Sequence, residues 1–495
     1  MVQRSWLVQR AFLALGLMIG FYALAIGIAL ALLWVPYAEW VYLHRVHGRL
    51  ALFCVALAGA LLWAILPRVD RFEPPGPSLD RADHPRLFEV IESVASATGQ
   101  AMPTEVFLVN DVNAWVAHRG GVMGIGSRRV MGVGLPLLQA LSVDEFRAVA
   151  AHEFGHYSAG DVALGPWVYK TRAAIGRTLE GLEGRALQKL FAAYGHLFLR
   201  LTQAVSRQQE FLADQVAART AGSRHAATSL KKMPGVAQAF GAYGEQELLP
   251  VLRAGFIPPI SAGFQQFLSA EPVARRCEDI NAAAVNDAGA GEFDTHPSIG
   301  ERLAALGHPA DIPVTVPAES AAHLLGDAEE MARVLLMSSA GEEAVNRLKP
   351  VAWNAVGDVF AAGWREAAKT NAEWLARFRT DDLPVGSANY VRLGGELNPS
   401  AATDDKRDRA VSLIGAGMAV ALLDAGWTVS AELGQPLFLL RPAAPGASET
   451  EGVNPFGAVH ALCAGTLTPD AWRARCHELG IAGLPLGAAF AVQRA

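Results

Sequence analysis

Apolar residues fill positions 11–34 without a single charge. That run exceeds the roughly 20 residues a helix needs to cross a bilayer. It closes on Trp34, Tyr37 and Trp40, the aromatic residues that favour a membrane interface. A cleaved leader would carry a shorter apolar stretch of about 7–15 residues and a small-residue cleavage site, so the run reads as a retained helix. A second apolar run covers 50–66 and stops before Pro67 and Arg68. It sits at the lower limit for a span, and a buried core helix or a re-entrant segment is the alternative reading. Two spans make a hairpin with both ends on one side. Arginines flank it at Arg4 and Arg10, at Arg45 and Arg49, and from Arg68 through Arg71, Arg81 and Arg86. The positive-inside rule then puts most of the chain in the cytoplasm.

A proline-rich linker, 72–78, follows the hairpin. Leu87, Val90, Ile91 and Val94 then share one face of a helix over 86–98. Short strands are expected at 105–109, 113–117, 121–126 and 130–134, separated by glycine-rich turns. Helical spacing resumes over 142–158, opened by Ser142 with Glu145 as a capping box. The stretch 161–205 is mixed helical and carries Lys170, Arg172, Arg177, Lys189 and Arg200, so it is not read as spanning. Further helices are expected at 201–220 and 295–306. Beyond Pro309 the pattern changes to helices at 328–336, 353–378 and 407–426, two strands at 428–433 and 436–440, and a last helix at 468–479. The chain thus divides into a membrane anchor (1–71), a central domain (72–308) and an α+β accessory domain (309–495) of unassigned role. Ile414-Gly-Ala-Gly417 lacks the third glycine of a dinucleotide fingerprint and reads as helix packing.

Composition adds little to this division. Apolar residues make up 52% of the 495-residue chain, high for a soluble protein, and the excess is concentrated in the two runs. A net charge of −6 supplies no basic field, so nucleic acid is not expected as a partner. The four cysteines show no CxxC spacing, which argues against a disulfide framework or a cysteine zinc site.

The chemistry lies on the helix at 142–158. His152 and His156 are four residues apart, so both imidazoles face one side and can bind one ion. Glu153 stands beside the first of them, where a carboxylate can take a proton from an activated water. A protein zinc site needs a third ligand. The three-histidine route is closed, because Val162 occupies the position where the third histidine would stand. A later helix offers Ser206-Arg-Gln-Gln-Glu210-Phe-Leu-Ala-Asp214 instead. Glu210 can ligate zinc. Asp214, four residues on, can accept from the second nitrogen of a ligand histidine. Arg207 lies one turn before Glu210, among the groups expected around the ligands. A solvated, self-paired charged helix face is the structural alternative for this segment.

His-Glu-Phe-Gly-His followed by Ser-Arg-Gln-Gln-Glu-Phe-Leu-Ala-Asp resembles the membrane zinc metalloendopeptidases that include HtpX and the CAAX prenyl endopeptidases. Asn113-Ala114 upstream, and Thr295-His296-Pro297-Ser298 with Glu301-Arg302-Leu303 downstream, add to the likeness. The resemblance covers about residues 1–306. It implies an α+β, mainly helical zincin-type domain with a small sheet, and one Zn²⁺ per subunit held by His152, His156 and Glu210. It further implies Glu153 as general base, Asn113 near the edge strand that binds substrate, and His296 as a candidate for the oxyanion. The implied protein is an integral membrane endopeptidase of a bacterial inner membrane, with its catalytic domain facing the cytoplasm, lipid bilayer around its anchor and polypeptides as substrates. Membrane protein quality control is its expected setting by analogy. A membrane-tethered adaptor with a structural or vestigial zinc site is the competing reading. The chain departs from HtpX in the charge of 161–205, and from the prenyl endopeptidases in lacking their many spans.

Overall fold

The structure is a computed structural model that describes residues 2–66, 69–121, 126–157, 165–182, 186–287, 297–309, 311–315, 317, 319–441 and 452–486. The chain folds as two compact units. One comprises Met1–Phe240 and Arg275–Ser339, the other Gly241–Ala274 and Ala340–Ala495.

The first unit opens with α1 (Val2–Leu43) and α2 (Gly48–Ile65). Both are long and apolar enough to cross a bilayer. Leu30, Trp34, Trp40, Leu52, Phe53 and Trp63 on them are exposed, an apolar surface that water would not favour. A four-stranded sheet follows, built from β1 (Ser78–Leu79), β2 (Glu105–Val109), β3 (Ala114–Arg119) and β4 (Arg128–Gly134), with α3 (Pro85–Thr98) between the first two strands. Its order is β1-β2-β4-β3. β2 runs parallel to β4, and β3 pairs antiparallel with β4 with Ala114 opposite Val133. β3 is therefore an edge strand. Gly132 makes room for it, since a Cβ there would stand 2.4 Å from the Trp115 ring. The expected strand at 121–126 lies mostly outside the described residues.

Next come α4 (Leu135–Ala140), α5 (Val143–Gly155), α6 (Gly165–Gly181), α7 (Ala186–Ala221) and α8 (Ser223–Ala242). The charged stretch at 161–205 thus contributes α6 and the first half of α7. Both pack on the hairpin through one apolar cluster that joins Phe21, Ala25, Leu57, Leu61, Ile175 and Phe191. The Tyr194 hydroxyl donates to the Leu17 carbonyl, and Gly20 leaves the space the phenol needs. The Arg177 guanidinium donates to the Ala64 carbonyl at 3.1 Å, so part of the charge of α6 is spent on the end of α2.

The expected break near 309 falls inside this unit. Residues 320–335 are tied back to it: Ala321 N–H donates to Leu141 O at 2.7 Å, and His84 Nδ1 lies 2.9 Å from Leu325 O. The second unit centres on the helix Thr403–Asp424, which buries Leu413, Ile414, Met418, Val420 and Leu422. Gly415 and Gly417 lie within it, where a Cβ would press into Phe456 and Leu375. They are packing glycines, as the sequence suggests. The helix expected at 353–378 breaks at Asn371, between Val356–Thr370 and Ala372–Leu375. The strands Thr428–Ser430, Phe438–Leu440 and Gly452–Val453 form a small antiparallel sheet.

Candidate metal centre

α5 starts on a reciprocal cap. Ser142 Oγ accepts from Glu145 N–H at 3.3 Å, and the Glu145 carboxylate accepts from Ser142 N–H at 3.0 Å. Two backbone donors of the first turn are thereby satisfied. Glu145 is buried, and Lys232 Nζ on α8 donates to it at 2.7 Å. This pair holds the start of α5 against α8. At the other end Gly155 lets α7 cross closely, since a Cβ there would meet Ala213 Cα at 2.9 Å. The crossing brings Glu210 and Asp214 under the two histidines.

Nε2 of His152 and Nε2 of His156 lie 3.2 Å apart. Glu210 Oε2 is 3.5 Å from the first, and Glu210 Oε1 is 3.9 Å from the second. One donor atom from each residue lies within 4.8 Å of the others. Around a tetrahedral zinc with bonds of about 2.0–2.1 Å, neighbouring donors are roughly 3.3 Å apart. The two nitrogens meet that spacing and the carboxylate comes close to it, so this donor set fits one zinc ion.

Behind the ligands, Asp214 Oδ1 lies 2.9 Å from His152 Nδ1. That contact leaves Nε2 of His152 to face the ion. Sequence reasoning missed the next partner. Arg302, on the helix Ile299–Ala305, donates to both Asp214 oxygens at 2.6 and 2.8 Å, and its Nη1 stands 3.4 Å from Glu210 Oε2. The signal was present as Glu301-Arg302-Leu303, but nothing in the sequence aims that arginine at Asp214. Arg207 turns elsewhere. Its guanidinium donates to both oxygens of Glu301 at 2.7 and 2.8 Å. The structure thus assigns Arg207 to the start of another helix, and Arg302 takes the place expected of it beside the ligands. His296 lies outside the described residues.

Charge is distributed unevenly across this cluster. Burial works against charging His152, but its hydrogen bonds to Asp214 and Glu210 outweigh that and carry it up to about 9. Burial, with the neighbouring His152, pushes His156 down to about 4. Burial also pushes Glu153 up to about 7, against the pull of His152 and of a hydrogen bond from Val116 N–H. Asp214 is buried as well, yet its bonds to Arg302 and His152 hold it below the usual carboxylate range.

The Val116 contact links the centre to the sheet edge. Gly134 N–H donates to Asn113 O, so Asn113, Trp115 and Ala117 turn their main-chain groups toward β4. Ala114, Val116 and His118 turn theirs to the open edge. At Val116 the N–H meets Glu153, and the carbonyl accepts from the Tyr157 hydroxyl at 2.8 Å. The Arg129 guanidinium covers the Tyr157 ring 4.7 Å from its centroid. Asn113 stands at the head of β3, on the rim of a cavity that reaches His152 and Glu153.

Residues 81–310 match the model of peptidase family M48. A protease HtpX homolog of Tropheryma whipplei (strain TW08/27) is 31% identical over 180 residues, covering 32% of this chain and 60% of that protein. Protease HtpX of Vibrio vulnificus is 28% identical over 208 residues, covering 35% and 68%. Protease HtpX homolog 1 of Sulfurisphaera tokodaii is 37% identical over 81 residues, covering 16% and 24%. The chain spans about 60% of the length of the first of these relatives. No solved structure matches it.

Proposed function

We propose, from the match of residues 81–310 to peptidase family M48, that this chain is a membrane-anchored zinc metalloendopeptidase acting on polypeptides. The observation that carries the reading is the place of Glu153, a half-buried carboxylate next to the donor triangle of His152, His156 and Glu210. A structural zinc site has no use for such a base.

One Zn²⁺ per subunit is held by His152, His156 and Glu210, with Asp214 orienting His152 and Arg302 orienting Asp214. When bound, the ion supplies Lewis acidity toward water and the scissile carbonyl. Glu153 accepts the proton of the attacking water and returns it to the leaving amine, a task open to a carboxylate held beside the ligands. Ala114 and His118 on the outer edge of β3 offer their main-chain groups to an extended peptide, which adds there as a further strand beside Asn113 and displaces Tyr157 from the Val116 carbonyl. His296 is assigned to the oxyanion on the family resemblance alone. α1 and α2 form the anchor in a bacterial inner membrane, the flanking arginines favour a cytoplasmic catalytic domain, and membrane protein quality control is the setting that fits both.

Glu153→Gln tests the reading in the full-length, zinc-loaded protein. Zinc content stays at one per chain, while cleavage of peptides drops to background and bound polypeptide accumulates. Unchanged cleavage by this variant sinks the proposal. A wild-type chain that binds zinc but cleaves nothing favours the tethered adaptor.

A further inference from the structure

The chain has little slack between the anchor and the sheet. α2 ends at Ile65, and by Asp70 the backbone is already fastened to the far end of β3. The Asp70 carboxylate accepts from Nε and Nη2 of Arg119 at 3.0 and 3.2 Å, and from Gly120 N–H at 2.8 Å. Asp70 N–H in turn donates to Gly121 O at 2.9 Å. Two residues on, the Phe72 ring packs on Phe107 with centroids 5.6 Å apart. The guanidinium groups of Arg119 and Arg128 cover that ring at 5.3 and 5.7 Å. Arg119 is the last residue of β3, so the edge strand has one end tied to the chain where it leaves the hairpin.

These contacts limit how far the metal centre stands from the bilayer. The five residues from Ile65 to Asp70 reach at most about 18 Å. From Arg119 back to Val116, whose N–H meets Glu153, is three residues of strand, about 10 Å. The point on β3 beside Glu153 thus lies within about 28 Å of the end of α2, a length that an extended substrate covers in about eight residues. A second attachment fixes the other side of the centre. α6 is bonded to the end of α2 through Arg177 and the Ala64 carbonyl. α7, which carries Glu210, joins the hairpin through Phe191 and Phe198. A domain on a flexible tether could meet a substrate at any height, and this one is held at one height from two sides.

We infer that the enzyme selects its cut site by distance from the bilayer: the clamp of Asp70 on Arg119 sets the edge of β3 so that the scissile bond lies about three to eight residues from the end of the substrate's own membrane span. This deepens the peptidase reading and rests on it and on the anchor. A shorter spacer cannot run past the Arg119 end of the strand to Val116 without drawing the span out of the bilayer. A longer one still reaches, but its effective concentration at the site falls roughly as the −3/2 power of length. Lengthening the spacer from about 8 to about 32 residues therefore lowers the rate about eightfold. Asp70 and Arg119 act here as positioning residues, since neither reaches the metal centre.

The test is a ladder of model substrates reconstituted in nanodiscs with the full-length, zinc-loaded protein. Each has one apolar helix, a polar spacer of about 1 to 32 residues, and the same unstructured segment, which is also supplied as a detached peptide. Cleavage should be at background below about three residues, peak near about eight, and decline about eightfold by about 32. Asp70→Ala releases the end of β3. The side chains of Arg119 and Asp70 are 42% and 36% exposed, so losing the pair strands no buried charge. In this variant the decline should shrink to below about threefold, with the detached peptide cut at the wild-type rate. A wild-type ladder that is flat, or that peaks beyond about 16 residues, overturns the distance rule, and cleavage of the detached peptide leaves the peptidase reading standing. A wild-type profile retained in Asp70→Ala overturns the clamp. A wild-type protein that cuts neither the ladder nor the peptide overturns both readings.

Discussion

Removing Asp214 should do two separable things, and a double-mutant cycle with Arg302 tells them apart. Asp214 makes two short charge-assisted bonds to Arg302, at 2.6 and 2.8 Å, and one contact of 2.9 Å to His152 Nδ1. Both members of the Arg302–Asp214 pair are largely buried, with side chains 13% and 6% exposed. Asp214→Ala leaves the guanidinium buried without its main partner, which costs about 3–5 kcal/mol of stability. Arg302→Met strands the carboxylate at a similar cost. The double variant removes both charges together. Its penalty should be far below the sum, giving a coupling energy on the order of 3 kcal/mol. Zinc affinity follows a different rule. Loss of a group that orients a ligand histidine lowers metal affinity about 10–100-fold, so Asp214→Ala and the double variant should both show that loss. Arg302→Met should not, because Asp214 still holds His152 and a cation near Glu210 has gone. Urea unfolding of the metal-free protein in detergent measures the stabilities, and competition with a chelator measures zinc affinity. Additive stability costs, within about 0.5 kcal/mol, would refute the buried pair. Wild-type zinc affinity in Asp214→Ala would refute the orienting role.

Zinc binding should depend on pH through one histidine. His152 keeps its proton until about pH 9 whereas His156 is neutral above about 4, so only His152 must give one up. Affinity should rise about tenfold per unit between pH 7 and 9 and level off above, with one proton released per zinc; a flat profile by chelator competition contradicts this. Lys232→Met leaves Glu145 buried without its cation and should cost about 3–5 kcal/mol in urea unfolding, most of it recovered in the Glu145→Gln/Lys232→Met double variant. Tyr157→Phe frees the Val116 carbonyl from a hydrogen bond worth about 1 kcal/mol. KM for extended peptides should then fall about fivefold with kcat unchanged, and a raised KM would show that substrate does not use that carbonyl.

Local signals were legible in the sequence to the degree that they were complete within one element. The capping box of α5 and the four-residue spacing of His152 and His156 depend on neighbours along one helix, and both stand where the sequence puts them. Glu210 and Asp214 were readable because they share a helix face. What could not be read is aim across elements. Arg207 and Arg302 are both arginines near a motif. Only the crossing of the helix Ile299–Ala305 with α7 decides that one meets Asp214 and the other Glu301. The same holds for α6 and α7. Their charges argued only against a membrane span; period-3.6 apolar positions such as Ile175, Phe191 and Phe198 find the hairpin, while Arg177 finds a helix-end carbonyl. The residues that α8 lends to the cavity beside His152, among them Ala226, Leu230 and Met233, carry no motif at all, so that cavity was invisible before the fold.

α7 is one unbroken helix of 36 residues, about 54 Å long at 1.5 Å per residue. Phe191 and Phe198 lie in its first half and Glu210 in its second. Cutting the chain at the proline-rich linker to obtain a water-soluble enzyme would therefore do more than remove a tether. It would strip the cover from Phe191, Phe198 and Ile175 and leave a sticky flank on the helix that carries a proposed zinc ligand. A soluble version needs those positions redesigned as surface, and the register of such a redesign is already written in the side chains that now face Phe21 and Leu61.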